Sequence, residues 1–340
     1  MEIAAVQAAL QEIAHPYADK RVNVFEVDLI AFGEGLVQLG GRVLEPAQRQ
    51  AVEEGLAARF PGLRVDTQDV QVLRETALRK MCVATNLTSV HSGCSFLAEQ
   101  VTQMLNGAAV EVLWEDDQWG YVRQEDGYLG WTYLPYLTEK PGQPPSHLVT
   151  AAVSSLRSSA EEGSAALTRV LGGTPVTLVE EKNGWGCVEM SGDFTGWLPS
   201  ADLRALDRLP RSVEERRAQI SADAFRLTGV PYLWGGCSAN GIDCSGFAQL
   251  LHRWIGITIP RDADMQYDAG TPVEAPFETG DLLFFGELGA RRRITHVTVS
   301  LGGWKVIHSS RSRNGVYVDD VQEVPHLRDS FLFAASYIRR

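Results

Sequence analysis

The sequence predicts an α+β protein in four parts. These are an N-terminal α+β segment (residues 1–72), two small antiparallel β-barrels (73–140 and 146–206) and a C-terminal α+β domain (212–340). Three observations carry this reading. Val101–Leu137 and Leu167–Leu203, both built of short alternating segments, align without a gap 66 residues apart. In the C-terminal part helical spacing comes first and strand-like runs follow, the order of an α+β domain. Two turn-rich stretches, Pro141-Gly142-Gln143-Pro144-Pro145 and Asp207-Arg208-Leu209-Pro210-Arg211-Ser212, mark the joints. A length of 340 residues suits two or three domains.

In the N-terminal part, Val22–Val27 reads as a strand. Pro46–Phe60, with Val52, Leu56 and Phe60 four apart, reads as a helix after Glu45. Leu63–Val65 and Val70–Leu73 read as short strands, and no chemical motif lies in this part. The repeat matches Thr102 with Thr168, Leu105 with Leu171, Trp119 with Trp185, Gly130 with Gly196 and Trp131 with Trp197. Segments such as Val110–Leu113 and Trp119–Val122, separated by Asp, Asn and Gly, are the pattern of hairpins in a small barrel. Farther on, Ser212 and Glu215 form a capping box for a helix to about Leu227, which Pro231 stops. Cys244 opens a second helical pattern through Phe247, Leu250, Leu251, Trp254 and Ile255. Asp281–Phe285, His296–Ser300 and Trp304–His308 are strand-like.

Composition narrows the function. The apolar fraction is 44% and the net charge −12, with basic residues dispersed except at Arg291-Arg292-Arg293, which reads as a solvated loop before an anion site. A general role on nucleic acid or an anionic membrane is disfavoured. The start, Met1–Val6, has no cationic region, Gln7, Gln11 and Glu12 break any apolar core, and no run reaches membrane-spanning length. A cytoplasmic, reduced protein is expected, an exported mature form staying open. Five cysteines without CxxC spacing argue against a disulfide framework or structural zinc, and neither cofactor nor metal is expected.

The chemistry gathers at Gly241-Ile242-Asp243-Cys244-Ser245-Gly246-Phe247 with His296 and His308. A thiol at a helix N-terminus is favoured as thiolate, below its usual value of about 8.5, although a buried free cysteine is ordinarily a small hydrophobe. Leu301-Gly302-Gly303 signals a hairpin, and a three-residue loop there sets His296 directly opposite His308. A two-residue loop slips this by one. In the first register His296 serves as base to Cys244 and His308 holds its tautomer. A Cys/His/His zinc site is the rival reading of the same residues. Tyr232 is either a core aromatic or an oxyanion donor beside the Cys244 N–H. Asp243 either caps the helix or meets a substrate ammonium.

Pro231-Tyr232-Leu233-Trp234-Gly235-Gly236, Gly241–Gly246, Ile259-Pro260-Arg261-Asp262, Gly280–Phe285, Thr295-His296-Val297 and Ile307-His308-Ser309-Ser310 together resemble the NlpC-type cell-wall cysteine peptidases, over most of 212–340. The repeat resembles bacterial SH3-like domains, and the combination is similar to the γ-D-glutamyl-L-diamino-acid endopeptidases. The resemblance implies a papain-like catalytic domain with Cys244 as nucleophile, His296 as base, His308 as orienting residue and Tyr232 at the oxyanion. It implies a murein tri- or tetrapeptide substrate with a free N-terminal L-Ala, cleaved after γ-D-Glu, with the first barrel closing the groove. Asp243, Ser245 and Tyr128 are then expected at the terminal amine, with Glu99 as an added acidic contact and Trp234 as a further substrate contact. The second copy has Phe194 where Tyr128 stands. Ala263 departs from relatives with a hydroxyl after Pro-Arg-Asp and removes one hydrogen bond from the amine site. The rival enzymatic reading is an endopeptidase or amidase on polymeric peptidoglycan, with the barrels as wall-binding modules. The rival binding reading is a catalytically silent wall-peptide receptor.

Overall fold

The computed structural model describes residues 2–33, 35–140, 142–289 and 292–339, the Arg292 side chain excepted. Arg291 of the basic triplet and Pro141 of the first linker lie outside the described residues. The chain forms two compact units, Met1–Lys80 with Val110–Trp131 and Met81–Ala109 with Thr132–Arg340.

The first unit opens with α1 (Ile3–Ala14), β1 (Phe25–Gly33), β2 (Leu36–Val43), α2 (Pro46–Arg59) and β3 (Arg64–Val72). β1 and β2 pair antiparallel, and α2 carries the chain over to β3, parallel to β2. The Gln48 side chain accepts the Glu45 N–H at 2.8 Å and starts α2. Val6, Leu10, Val37, Leu39, Val52 and Leu56 fill the core between helices and sheet. Two expected short strands are one here, because pairing with β2 runs from Leu36↔Arg64 to Val43↔Val72. Polar Asp66–Asp69 hide that continuity in the sequence.

The stretch around the first repeat copy supplies β4 (Arg79–Val83), β5 (Leu87–His91), β6 (Gln100–Leu105), β7 (Ala109–Asp116), β8 (Trp119–Gln124), β9 (Leu129–Tyr133) and β10 (Leu137–Thr138). Hairpin β7–β8 belongs to the first unit, and hairpin β5–β6 and the pair Val83↔Leu137 to the second. The stretch around the second copy supplies β11 (His147–Val149), β12 (Val153–Arg157), β13 (Ala166–Leu171), β14 (Pro175–Lys182), β15 (Trp185–Met190), β16 (Phe194–Pro199) and β17 (Leu203–Ala205). These form one seven-stranded sheet, ordered β13-β12-β16-β15-β14-β11-β17. It closes over Val149, Leu156, Val170, Val188 and Leu198.

The C-terminal region follows with α3 (Val213–Ala224), β18 (Cys237–Ser238), β19 (Gly241–Ile242), α4 (Cys244–Trp254) and α5 (Ala263–Ala269). Then come β20 (Thr271–Pro272), β21 (Leu282–Leu288), β22 (Arg292–Ser300), β23 (Lys305–Ser310), β24 (Gly315–Asp320), α6 (Pro325–Ser330) and β25 (Phe331–Ser336). The capping box at Ser212 and Glu215 is present in both directions, each bond at 3.1 Å. The six-stranded sheet runs β20-β25-β21-β22-β23-β24, and α4 lies on it through Phe247, Leu251, Phe284, Val297 and Ile307. α4 is buried on nearly every side, because Leu105 on β6, Leu148 on β11 and Leu171 on β13 join the same core.

The hairpin between β22 and β23 differs from the expected register. Val299 pairs with Ile307 and Ser300 with Val306, so the loop is two residues longer. Trp304 leaves the strand pattern to pack edge-on against Phe277 and Phe331. His296 and His308 are therefore diagonal neighbours on one face of the sheet rather than directly opposite.

The start of α4 sits tight under the preceding loop, where a Cβ on Gly246 would come within 2.2 Å of the Gly236 carbonyl oxygen. Gly246→Ala is expected to destabilise the second unit by about 1–3 kcal/mol, read as a lower urea midpoint.

Candidate active site

The N-terminus of α4 is built by a tight return of the chain. Tyr232 bridges to Ile242, β18 pairs with β19, and the turn delivers Asp243 as the helix cap, accepting the Gly246 N–H at 2.7 Å. Cys244 is the first residue of the helix and remains partly accessible. The Asp243 carboxylate also accepts the Gly235 N–H at 2.9 Å, the Ser245 hydroxyl at 3.2 Å and two bonds from Arg261, at 2.7 and 3.1 Å. Arg261 in turn donates to Ser245 Oγ at 2.9 Å and to Thr102 Oγ1 on β6 at 2.7 Å.

Asp243 and Ser245, expected at a substrate ammonium, thus sit within a network of the chain's own polar groups. Both are buried, and the cation paired with Asp243 is the chain's own guanidinium, in the two-pronged geometry that suits a carboxylate. Asp243 works as cap and anchor.

The other wall is the sheet. His296 Nε2 lies 2.7 Å from His308 Nδ1, and His308 Nε2 lies 3.0 Å from Asp319 Oδ2. Asp319 Oδ1 accepts from Arg313 at 2.6 Å. With Nε2 engaged, Nδ1 is the nitrogen of His296 left for a thiol. The backbone N–H of Val297, the residue after His296, lies beside the Cys244 sulfur and favours its thiolate. Because His296 Nε2 and His308 Nδ1 face each other, they do not open onto a common metal. Among the described residues no three His, Cys, Asp or Glu side chains converge to hold one.

Electrostatics at the pair also depart from expectation. Burial, helped by the Asp243 charge, pushes the Cys244 thiol up to about 12. Burial, helped by His308 and His326, brings His296 down to about 3. Desolvation outweighs the helix N-terminus, so the resting pair is neutral thiol and neutral imidazole. Moving one proton between them leaves the net charge of the site unchanged. Tyr232, half-buried, has its phenol pushed up by burial and by Cys244 and Asp243, and it stays a donor.

At the rim, exposed Trp234 donates its indole N–H to Glu99 at 2.8 Å, and Gln100 holds the Trp234 carbonyl at 2.9 Å. Gln103 accepts the Cys237 N–H at 3.2 Å. β6 and its lead-in thus grip the loop that carries Tyr232. Tyr128 belongs to the first unit, where it is buried and its N–H meets Asp126 Oδ1 at 3.0 Å. Ala263 is the first residue of α5, behind its cap Asp262. Sequence reading missed the parts played by Arg261, Thr102 and Asp319. The Pro-Arg-Asp triplet pointed to the first, but nothing local distinguishes Asp319 from its neighbour Asp320.

A cysteine opening a buried helix, packed on an antiparallel sheet that presents an imidazole, is the papain-like arrangement. Residues 229–332 match the NlpC/P60 family, residues 92–132 the bacterial dipeptidyl-peptidase Sh3 domain, and residues 151–204 the bacterial SH3 domain. A γ-D-glutamyl-L-lysine dipeptidyl-peptidase of Bacillus subtilis is 31% identical over 230 residues, covering 64% of this chain and 74% of that protein. Its counterpart in Bacillus cereus is 29% identical over 235 residues, covering 64% and 69%. The crystal structure of an NlpC/P60 family protein from Bacillus cereus superposes with a TM-score of 0.68 at 23% identity, covering 76% of this chain and 100% of that one. The chain belongs to the NlpC/P60 family and carries two bacterial SH3 domains ahead of its catalytic domain.

Arg261→Leu strands the Asp243 carboxylate in the interior and is expected to cost about 3–5 kcal/mol, measured by denaturant unfolding. A thiol held near 12 gains thiolate steadily as pH rises toward that value. Iodoacetamide alkylation of Cys244 should therefore climb continuously from pH 6 to 9, and a plateau below pH 7 would instead reveal a preformed thiolate.

Proposed function

We propose that the protein is a cysteine endopeptidase cleaving the γ-D-glutamyl–diamino-acid bond of small murein peptides with a free N-terminal L-Ala. It releases L-Ala-D-Glu, as in murein peptide recycling. The observation that carries this reading is the joining of two features at one loop. Cys244 and the His296–His308 chain flank it, while β6, within the stretch matching the dipeptidyl-peptidase Sh3 domain, bonds to its other side. That the two Bacillus relatives are γ-D-glutamyl-L-lysine dipeptidyl-peptidases supports the bond and substrate class.

In this mechanism the Cys244 sulfur attacks the γ-carbonyl carbon of D-Glu while its proton passes to His296 Nδ1. The oxyanion takes the Cys244 backbone N–H and the Tyr232 hydroxyl. As the tetrahedral intermediate collapses, the C–N bond breaks and His296 returns its proton to the leaving amine. Water, deprotonated by the same nitrogen, then hydrolyses the thioester and regenerates the thiol. The terminal ammonium is assigned to Asp243 and Ser245, with Glu99, held by the Trp234 indole, as an added acidic contact. An ammonium leaving water needs such a partner, and acetylation removes its charge.

Cys244→Ala is expected to abolish cleavage of L-Ala-γ-D-Glu-diaminopimelate, followed by mass spectrometry. Glu99→Gln should raise KM about 10-fold with little change in kcat. N-acetylation of the alanine should stop turnover; undiminished cleavage of the acetylated peptide would point to an endopeptidase on polymeric peptidoglycan.

A further inference from the structure

We propose that Asp319 is a positioning residue for the reaction, setting through His308 which nitrogen of His296 carries the lone pair that meets the thiol. This rests on the reading of His296 as base. The three side chains step across neighbouring strands. His308 pairs with Tyr317, and Val306 with Asp319, so Asp319 is a diagonal neighbour of His308 on the same face of the sheet. His296 stands diagonally to His308 on the other side, as the β22–β23 register requires. The contacts along this diagonal are 2.7 Å and 3.0 Å, each short enough for one shared proton.

The direction of the chain follows from its end. An ionised carboxylate only accepts, so His308 Nε2 must carry hydrogen. A neutral His308 then presents a lone pair at Nδ1, and the contact with His296 requires hydrogen on His296 Nε2. That leaves His296 Nδ1 unprotonated, able to take the thiol proton. When it does, the imidazolium keeps both hydrogens, His308 keeps its own, and no proton reaches Asp319. The carboxylate stabilises the new charge through the intervening ring. Asp319 is suited to this: His308 and Arg313 hold it below its usual range, its side chain is 14% exposed, and His308 is 1% exposed. Arg313, stacked 4.6 Å above the Tyr317 ring, fixes the other carboxylate oxygen.

Arg313 also makes the test sharp. In Asp319→Asn the guanidinium still requires an acceptor, so it holds the amide oxygen and turns the amide NH2 toward His308 Nε2. His308 must then accept there and carry hydrogen on Nδ1, which drives the His296 hydrogen onto Nδ1 and blocks the base. Expected are a fall in kcat of about 10²–10³, KM within threefold, and a switch of His308 from the Nε2–H to the Nδ1–H tautomer in 15N NMR. Adding Arg313→Leu frees the amide to rotate and should restore at least tenfold of the lost kcat. A folded Asp319→Asn enzyme with kcat within threefold of the parent overturns the proposal. So does an Nδ1–H tautomer at His308 in the unaltered protein, a measurement needing no variant and no turnover. Turnover surviving His296→Ala would instead remove the reading of the base, and leaves the His308 tautomer to be scored separately.

Discussion

Everything at the reactive end of the molecule hangs on one buried ion pair. Arg261 and Asp243 meet at 2.7 Å with side chains 2% and 8% exposed. Such a pair contributes little net stability over apolar packing of the same volume. Its importance is in what the two groups join. Asp243 ends the turn from Gly235 and begins α4, so it sets where Cys244 stands. Arg261 carries that placement outward to Ser245 and to Thr102 on β6. A lysine could supply the charge but not the planar fork of donors that reaches all three.

The second governing balance is between burial and the helix terminus. The N-terminal end of α4 favours an anion at Cys244, yet the same helix is covered by the sheet on one side and by Leu105, Leu148 and Leu171 on the other. Cover that thick disfavours any isolated charge, the sulfur's and the ring's alike. Cys244 and His296 thus both rest neutral.

What the sequence makes legible is whatever depends on local pattern. The 66-residue repeat carries over strand for strand, so that β8 at Trp119–Gln124 reappears as β15 at Trp185–Met190. The capping box at Ser212 and the helix opened by Cys244 likewise follow from nearest neighbours. Less legible are features set by partners far along the chain. β2 is masked by Gly40-Gly41, whose place is fixed by pairing with β1 and β3. The His296 hairpin gained two loop residues because Trp304 found better packing against Phe277 and Phe331 than in the strand. The pairing of Asp243 with Arg261 is hidden locally because the guanidinium sits eighteen residues away. Asp319 meets His308 only once β24 has folded beside β23.

The interlock at β6 means that the boundary drawn along the chain is not a mechanical one. Thr102 and Gln103, members of a barrel strand, satisfy buried donors on the far side of a hundred residues of intervening sequence. The counterpart of Thr102 in the other copy, Thr168, has been put to a different use, accepting from Asn86. The duplicated strand has thereby specialised into a buttress. A C-terminal fragment cut out at residue 212 would keep every reacting atom and lose the brace that holds them in line.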